Sequence, residues 1–180
     1  MQRNVNFANR GMSFETLIDR TNEMYEQKDI AVINKRPTPI KVTGRGPGGK
    51  VTGFFSKPST VDYDGIYLGG KSIVFEAKSV KSLDRFDLKN IEDHQIAYLA
   101  KAHRHGAISF LLIDFEKHRI TFLVPFVTLN SYLLRKAKGG RGSQSVPITS
   151  LDVDAYRVEA GRVPLDYLAV VNKIWNLEVA

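Results

Sequence analysis

Apolar positions along this chain follow two rhythms, one helical and one of strands. In residues 12–27, Phe14, Leu17, Ile18, Thr21 and Tyr25 recur at spacings of three and four, which predicts a helix. Residues 30–34 form a short apolar run, which Pro37 and Pro39 end as a strand. Two extended stretches, 40–43 and 51–55, then flank a glycine-rich centre at 44–50, the pattern of a projecting hairpin. Residues 61–68 and 72–79 read as antiparallel strands joined at Gly69 and Gly70. A helix over 91–103, strands over 107–115 and 120–124, and a helix over 126–137 follow. A basic, glycine-rich loop covers 138–145. The last helix is expected over 164–175, with Pro164 in its first turn and Leu168, Val171 and Trp175 on one face. No repeat or linker divides the chain. The expected fold is a single α/β domain over 1–180, with a mixed central sheet flanked by helices and a hairpin stalk inserted at 40–59.

Composition narrows the function. A chain of 180 residues, 43% apolar, is large enough to bury one full core. The best apolar run, 107–113, has the length of a buried strand and not of a membrane span. The first residues lack the apolar core of a secretory signal, so a cytoplasmic protein is expected. The absence of cysteine excludes disulfides, thiolate zinc sites and thiol catalysis. Formal net charge is +7, and its distribution says more than its size. No acid lies between Asp29 and Asp62, where Lys35, Arg36, Lys41, Arg45, Lys50 and Lys57 fall. None lies between Glu116 and Asp152, where Lys117, Arg119, Arg135, Lys136, Lys138 and Arg141 fall. Two acid-free basic segments suit a phosphate backbone.

The candidate chemistry sits on the strand at 72–79. With side chains alternating, Ile73, Phe75 and Ala77 share one face and Glu76 and Lys78 the other. Alone, Glu76 and Lys78 would be an ordinary ion pair on a half-exposed strand. The preceding strand, however, brings Asp62 and Asp64 beside them through the hairpin at Gly69 and Gly70. Clustered carboxylates repel one another, and a divalent cation removes that cost. Mg²⁺ prefers hard oxygen ligands and keeps waters, so two carboxylates suffice to anchor it beside a phosphate. Glu15, in the first turn of the first helix, and Gln95, on the otherwise apolar stripe Ile91, Tyr98 and Ala102, are candidates to complete the site. The run from Gly44 to Lys50 nearly spells a P-loop, but Val51 replaces the expected Ser or Thr and no helix pattern follows. His103 and His105 fall at a helix end and read as caps.

Asp62 followed by Glu76-Ala77-Lys78 matches the PD-(D/E)xK nuclease pattern. It is accompanied by Asn9-Arg10-Gly11-Met12, Lys35-Arg36-Pro37-Thr38-Pro39, the run from Ser59 through Asp62-Tyr63-Asp64-Gly65 to Tyr67, and Asp93-His94-Gln95-Ile96. In this order the motifs resemble the RecU-type Holliday junction resolvases, over nearly the whole chain. The resemblance implies a restriction-endonuclease-like core and a homodimer that nicks two strands of four-way junction DNA symmetrically in recombination and repair. It implies Mg²⁺, with Mn²⁺ as a substitute. Carried over by position, Asp62 and Glu76 hold the metal with Thr60 and Gln95, Lys78 stabilises the transition state, and Glu15 is a nearby helical acid. The DNA contacts expected are Arg36, Lys41, Arg45, Lys50, Lys57 and Tyr63, and the resemblance makes residues 40–59 the stalk that enters the junction. The arm before Asn9 is shorter than in many relatives, which leaves open the recombinase contact assigned to it. The alternative is a catalytically weak or inactive junction-binding module on the same fold.

Overall fold

A computed structural model describes residues 13–56 and 60–177. Its centre is a six-stranded sheet. The strands are β1 (Ala31–Lys35), β4 (Tyr63–Tyr67), β5 (Lys71–Val80), β7 (Ile108–Phe115), β8 (Ile120–Pro125) and β10 (Tyr156–Val158), in that spatial order. Only β5 and β7 run parallel among these neighbours, so the sheet is mixed as expected. A parallel pair needs a long crossover, and the helix α2 (Asp93–Arg104) lies within it. β2 (Ile40–Arg45) and β3 (Val51–Phe55) pair with each other and stand apart from the main sheet.

Helices cover both faces. The first core joins Ile18 and Tyr25 of α1 (Phe14–Gln27) to Ile73, Phe75, Ala77 and Phe110 of the sheet and Leu168 and Val171 of α5 (Tyr167–Trp175). The second joins Val74, Leu111, Ile113 and Phe122 to Leu99 of α2, Leu129 of α3 (Phe126–Lys138) and Leu151 of α4 (Ile148–Asp154). β5 is therefore buried on both faces from Ile73 to Ala77. The half-exposed strand expected for Glu76 is corrected accordingly: its face lies under α2. Gly65 on β4 has a structural reason. A Cβ there would sit 2.1 Å from the Val32 carbonyl oxygen, so the β1–β4 approach requires glycine.

The last helix starts at Tyr167 and not at Pro164. Asp166 is its N-cap, accepting from the Ala169 N–H, and this fixes the boundary. Three short elements had no legible pattern: β6 (Arg85–Asp87) paired with β9 (Ser145–Pro147), and β10 on the sheet edge. α4 was also unforeseen. Among the described residues no helix is long and apolar enough to cross a membrane.

Candidate active site

The site forms where the chain enters β4 beside β5. In the β4–β5 register Asp64 lies opposite Val74 and Tyr63 opposite Phe75. One step earlier, Asp62 meets the backbone around Glu76. The Asp62 N–H donates to Glu76 Oε2 at 3.1 Å, and the Ala77 N–H donates to Asp62 Oδ2 at 3.1 Å. The two carboxylates are thus locked together by reciprocal main-chain hydrogen bonds. The expectation that Asp62 and Glu76 converge through the hairpin holds in this geometry.

Glu76 is completely buried. Lys78 Nζ stands 2.8 Å from Glu76 Oε1, with the lysine side chain partly open to solvent. The Gln95 amide nitrogen donates to the same Oε1. These donors do not compensate for the environment. Burial first, and the Asp62 charge second, push the Glu76 carboxyl up to about 8, while Lys78 pulls it back only in part. A buried carboxylate beside a second one is costly without further positive charge.

That cost tests the fit of a cation. Two hard carboxylates, open on the Lys78 side, match the way Mg²⁺ binds through one or two carboxylates and completes its shell with water and phosphate oxygens. Among the described residues no group of three or more His, Cys, Asp or Glu side chains forms a closed metal cage. An open two-carboxylate anchor is what a catalytic Mg²⁺ site needs, so the residues fit the ion.

The other predicted residues divide sharply. Gln95 is buried at the site as expected, but its carbonyl oxygen accepts from the Glu92 N–H at 2.9 Å in a capping box, leaving the amide nitrogen toward Glu76. Thr60 is at the site's edge, its hydroxyl accepting from the Arg36 guanidinium. Glu15 is exposed and pairs with Lys35 at 2.6 Å. That hydrogen bond chiefly raises the Lys35 ammonium above its usual range, with the charges of Asp19 and Asp62 adding, so Glu15 and Lys35 border the site. Tyr63 is a correction. It is fully buried, stacked on Phe75, and its hydroxyl donates to Asp19 at 2.7 Å, so it packs the core and does not face DNA. Arg36 is partly exposed, and its guanidinium is engaged by Asp64, Thr60 and the Tyr98 ring. Asp64, taken up by Arg36, does not join the carboxylate pair.

Lys41, Arg45 and Lys50 are exposed on the hairpin, as expected for cations that meet a polyanion. Lys57 lies outside the described residues. Phe54 and Phe55 are also exposed there, and Lys41 Nζ lies 6.0 Å from the Phe54 ring centroid. The P-loop near-match forms the hairpin tip, closed by the Gly46 N–H on the Lys50 carbonyl, and leads into a strand where a nucleotide-binding loop requires a helix. His105 is the C-cap residue of α2, in line with the capping reading.

Sequence reasoning missed Thr60 and Asp64 as partners of Arg36 and Asp19 as the partner of Tyr63. Only Glu92 had a readable signal, since Glu92 and Gln95 sit at capping-box spacing ahead of a helical pattern.

Comparison with known proteins agrees with this arrangement. The family model for recombination protein U matches residues 9–173. The chain is 35% identical over 180 residues to the Holliday junction resolvase RecU of Lactococcus lactis subsp. lactis, covering 97% of this chain and 82% of that protein. It is 36% identical over 175 residues to the protein of the same name from Streptococcus sanguinis, with 94% and 85% covered. With that of a Geobacillus species it shares 35% over 176 residues, with 94% and 86% covered. A match of this extent, in which Asp62, Glu76 and Lys78 all fall, means that the chain belongs to the recombination protein U (RecU) family.

Proposed function

We propose that this protein is a Mg²⁺-dependent, structure-selective DNA endonuclease that resolves four-way junctions by paired, symmetric nicks during recombination and repair. It acts as a homodimer in the cytoplasm, each protomer cutting one strand. The observation that carries the reading is the fully buried Glu76 carboxylate held against Asp62 with Lys78 at 2.8 Å. Its relatives' name, Holliday junction resolvase, supports the choice of junction DNA as substrate.

Asp62 and Glu76 would hold Mg²⁺, with the Thr60 hydroxyl beside them and Mn²⁺ able to substitute. When bound, the ion supplies a lowered water pKa and charge neutralisation at the phosphate. The chain's own residues do the rest. Gln95 fixes the Glu76 Oε1 atom from its capping box, so the carboxylate cannot rotate away. Lys78 holds a positive charge at the partly solvent-open side, where it can meet the non-bridging oxygens of the scissile phosphate as their charge grows. Glu15 acts through Lys35 at the border of the site. The hairpin cations Lys41, Arg45 and Lys50, with Lys57 further along the chain, supply sequence-independent contacts to the backbone.

The test uses four-way junction, linear duplex and single-stranded DNA, each with Mg²⁺ or EDTA, beside Glu76→Gln. Paired symmetric nicks confined to the junction and dependent on Mg²⁺ are expected. Equal cutting of linear duplex would defeat junction selectivity, and cutting by Glu76→Gln at the wild-type rate would defeat the site. A protein that binds junctions but never cuts them would support the non-catalytic alternative.

A further inference from the structure

The chain leaves the main sheet at Arg36, runs out into the β2–β3 hairpin, and returns through Thr60 into Asp62. Its two ends are tied at one residue. The Arg36 N–H donates to the Asp62 carbonyl oxygen at 2.7 Å. The guanidinium donates to Thr60 Oγ1, its Nε stands 2.9 Å from Asp64 Oδ2, and its plane lies 5.2 Å from the Tyr98 ring centroid. One side chain therefore joins the outgoing end of the hairpin to its returning end, to β4 and to α2. Tyr98 lies one helical turn from Gln95, which grips Glu76.

We propose that Arg36 is a positioning residue that fixes the base of the hairpin to the carboxylate site, so that DNA engaged by the hairpin and the Asp62–Glu76 pair move as one body. The proposal rests on the endonuclease reading above. Only arginine suits the task. Its planar fork reaches Thr60 and Asp64 at once while its face rests on an aromatic ring, and a lysine ammonium can do one of these but not all. The brace acts through Asp62, whose carbonyl is held by the Arg36 backbone and whose carboxylate is held by the Ala77 N–H. Loosening residue 60 lets this carboxylate drift. A displacement of roughly 1 Å at a catalytic group costs on the order of 100-fold in rate.

The experiment compares wild type, Arg36→Gln, Arg36→Lys and Asp64→Asn in full-length protein, with Glu76→Gln as the inactive control. Steady-state cleavage, junction binding in Ca²⁺, Mn²⁺ binding by calorimetry and amide hydrogen exchange are read in parallel. Arg36→Gln is expected to lower kcat by about 10- to 100-fold, as loss of an outer partner of a metal ligand does, with KM and junction affinity changed less than about threefold. Mn²⁺ affinity should fall about tenfold in the same variant, and exchange at Ala77 and at 60–64 should rise while α5 stays protected. Arg36→Lys should recover little of the loss, and Asp64→Asn, which keeps the fold and removes one arm of the brace, should show a smaller loss of the same kind. The opposite pattern overturns the proposal: a fall in junction affinity and its salt dependence with kcat unchanged and full rescue by lysine, which is the signature of a phosphate contact. Unchanged exchange at Ala77 and 60–64 in Arg36→Gln would overturn it equally. If the wild-type protein cuts no junction, the endonuclease reading fails, whereas metal binding and exchange still decide the brace.

Discussion

Two buried carboxylates, one on each side of the central sheet, have opposite fates. Asp166, almost fully buried at the start of α5, accepts from the Arg162 guanidinium at 2.9 and 3.0 Å, the Arg162 N–H at 3.0 Å and the Tyr25 hydroxyl at 2.9 Å. Burial pushes its carboxyl up, but these donors outweigh burial and hold it below the usual carboxylate range. Glu76 also has a cation and donors, yet burial and the Asp62 charge push it up to about 8. The difference is burial that its donors do not offset, and then company. Asp166 sits among donors alone, whereas Glu76, with its own donors, also faces the negative charge of Asp62. A satisfied buried charge serves the fold. One raised by burial and a neighbouring carboxylate, yet kept in place by reciprocal main-chain bonds, has the perturbed character common at functional sites.

Glu76→Gln is the largest expected effect and bears on the functional half of that contrast. Losing one oxygen ligand and the charge should cost on the order of 1,000-fold in junction cleavage, as removal of a transition-state stabilising group does. Metal-free stability should not fall, because the substitution removes the repulsion with Asp62. A thermal melt in EDTA checks this. A Tm several degrees below wild type would mean that Glu76 is a structural ion pair, and the comparison with Asp166 would collapse.

Asp166→Asn examines the structural half. It leaves Tyr25, the Arg162 guanidinium and the α5 cap with a poorer acceptor, a loss of roughly 2–4 kcal/mol by the usual cost of weakened caps and buried hydrogen bonds. Cleavage measured well below its Tm should match wild type. The pH dependence follows from the sign of the shift. A carboxyl held below its unfolded value contributes stability that is complete above about pH 4 and is lost as pH falls toward the folded value. The Tm gap between wild type and Asp166→Asn should therefore be constant from about pH 5 upward and close in stronger acid. A gap that widens in acid would refute the assignment.

The sequence made one of these carboxylates visible and hid the other. Glu76 stood out because Asp62 lies one hairpin away, and a register of two strands is readable from alternation and two glycines. What could not be read was that α2 covers Glu76's face. Alternation alone does not distinguish a half-exposed strand from one buried on both sides, and that burial is what lifts the carboxyl. Asp166 was hidden inside a helix expected to start at Pro164. Proline suits a first turn, but the side chain that caps the helix lies two residues later. The three-residue strands β6, β9 and β10 were invisible because alternation needs more than three positions to declare itself. DNA contact was expected of Tyr63 and, from the acid-free basic segment, of Arg36. Their partners, Asp19 on α1 and Asp64 on β4, come near through helix packing and strand pairing that spacing does not reveal.

The hairpin extends the contrast from buried charges to exposed ones. Among the described residues Lys41, Arg45 and Lys50 stand in solvent without a carboxylate partner, so their charge is available outside. Replacing all three with alanine should lower the slope of log affinity against log salt by about 2 to 3 for the junction, since each phosphate contact releases roughly 0.9 counterion. Cleavage at saturating junction should change little. Fluorescence titration across a salt series measures the first and single-turnover rates the second. An unchanged slope would move the DNA-binding surface off the hairpin.

Glu15 carries the smallest expected effect. Its carboxylate is more than half exposed and its partner Lys35 nearly so, which places the pair in the range of surface ion pairs, about 0–1 kcal/mol in stability. Yet Lys35 also answers to Asp62, so the pair touches the site electrostatically while contributing little to the fold. Glu15→Gln should thus leave Tm within about 2 °C, as expected for an effect well below 1 kcal/mol. It should slow junction cleavage by no more than about tenfold, the lower end for an outer partner. Salt separates the two contributions, because an exposed pair is screened within a Debye length of about 8–10 Å at ordinary ionic strength. If the rate effect of Glu15→Gln persists at high salt, Glu15 reaches the reacting phosphate or its metal directly. If it fades, Glu15 acts through Lys35 and belongs with the surface charges, on the far side of the divide that separates Glu76 from Asp166.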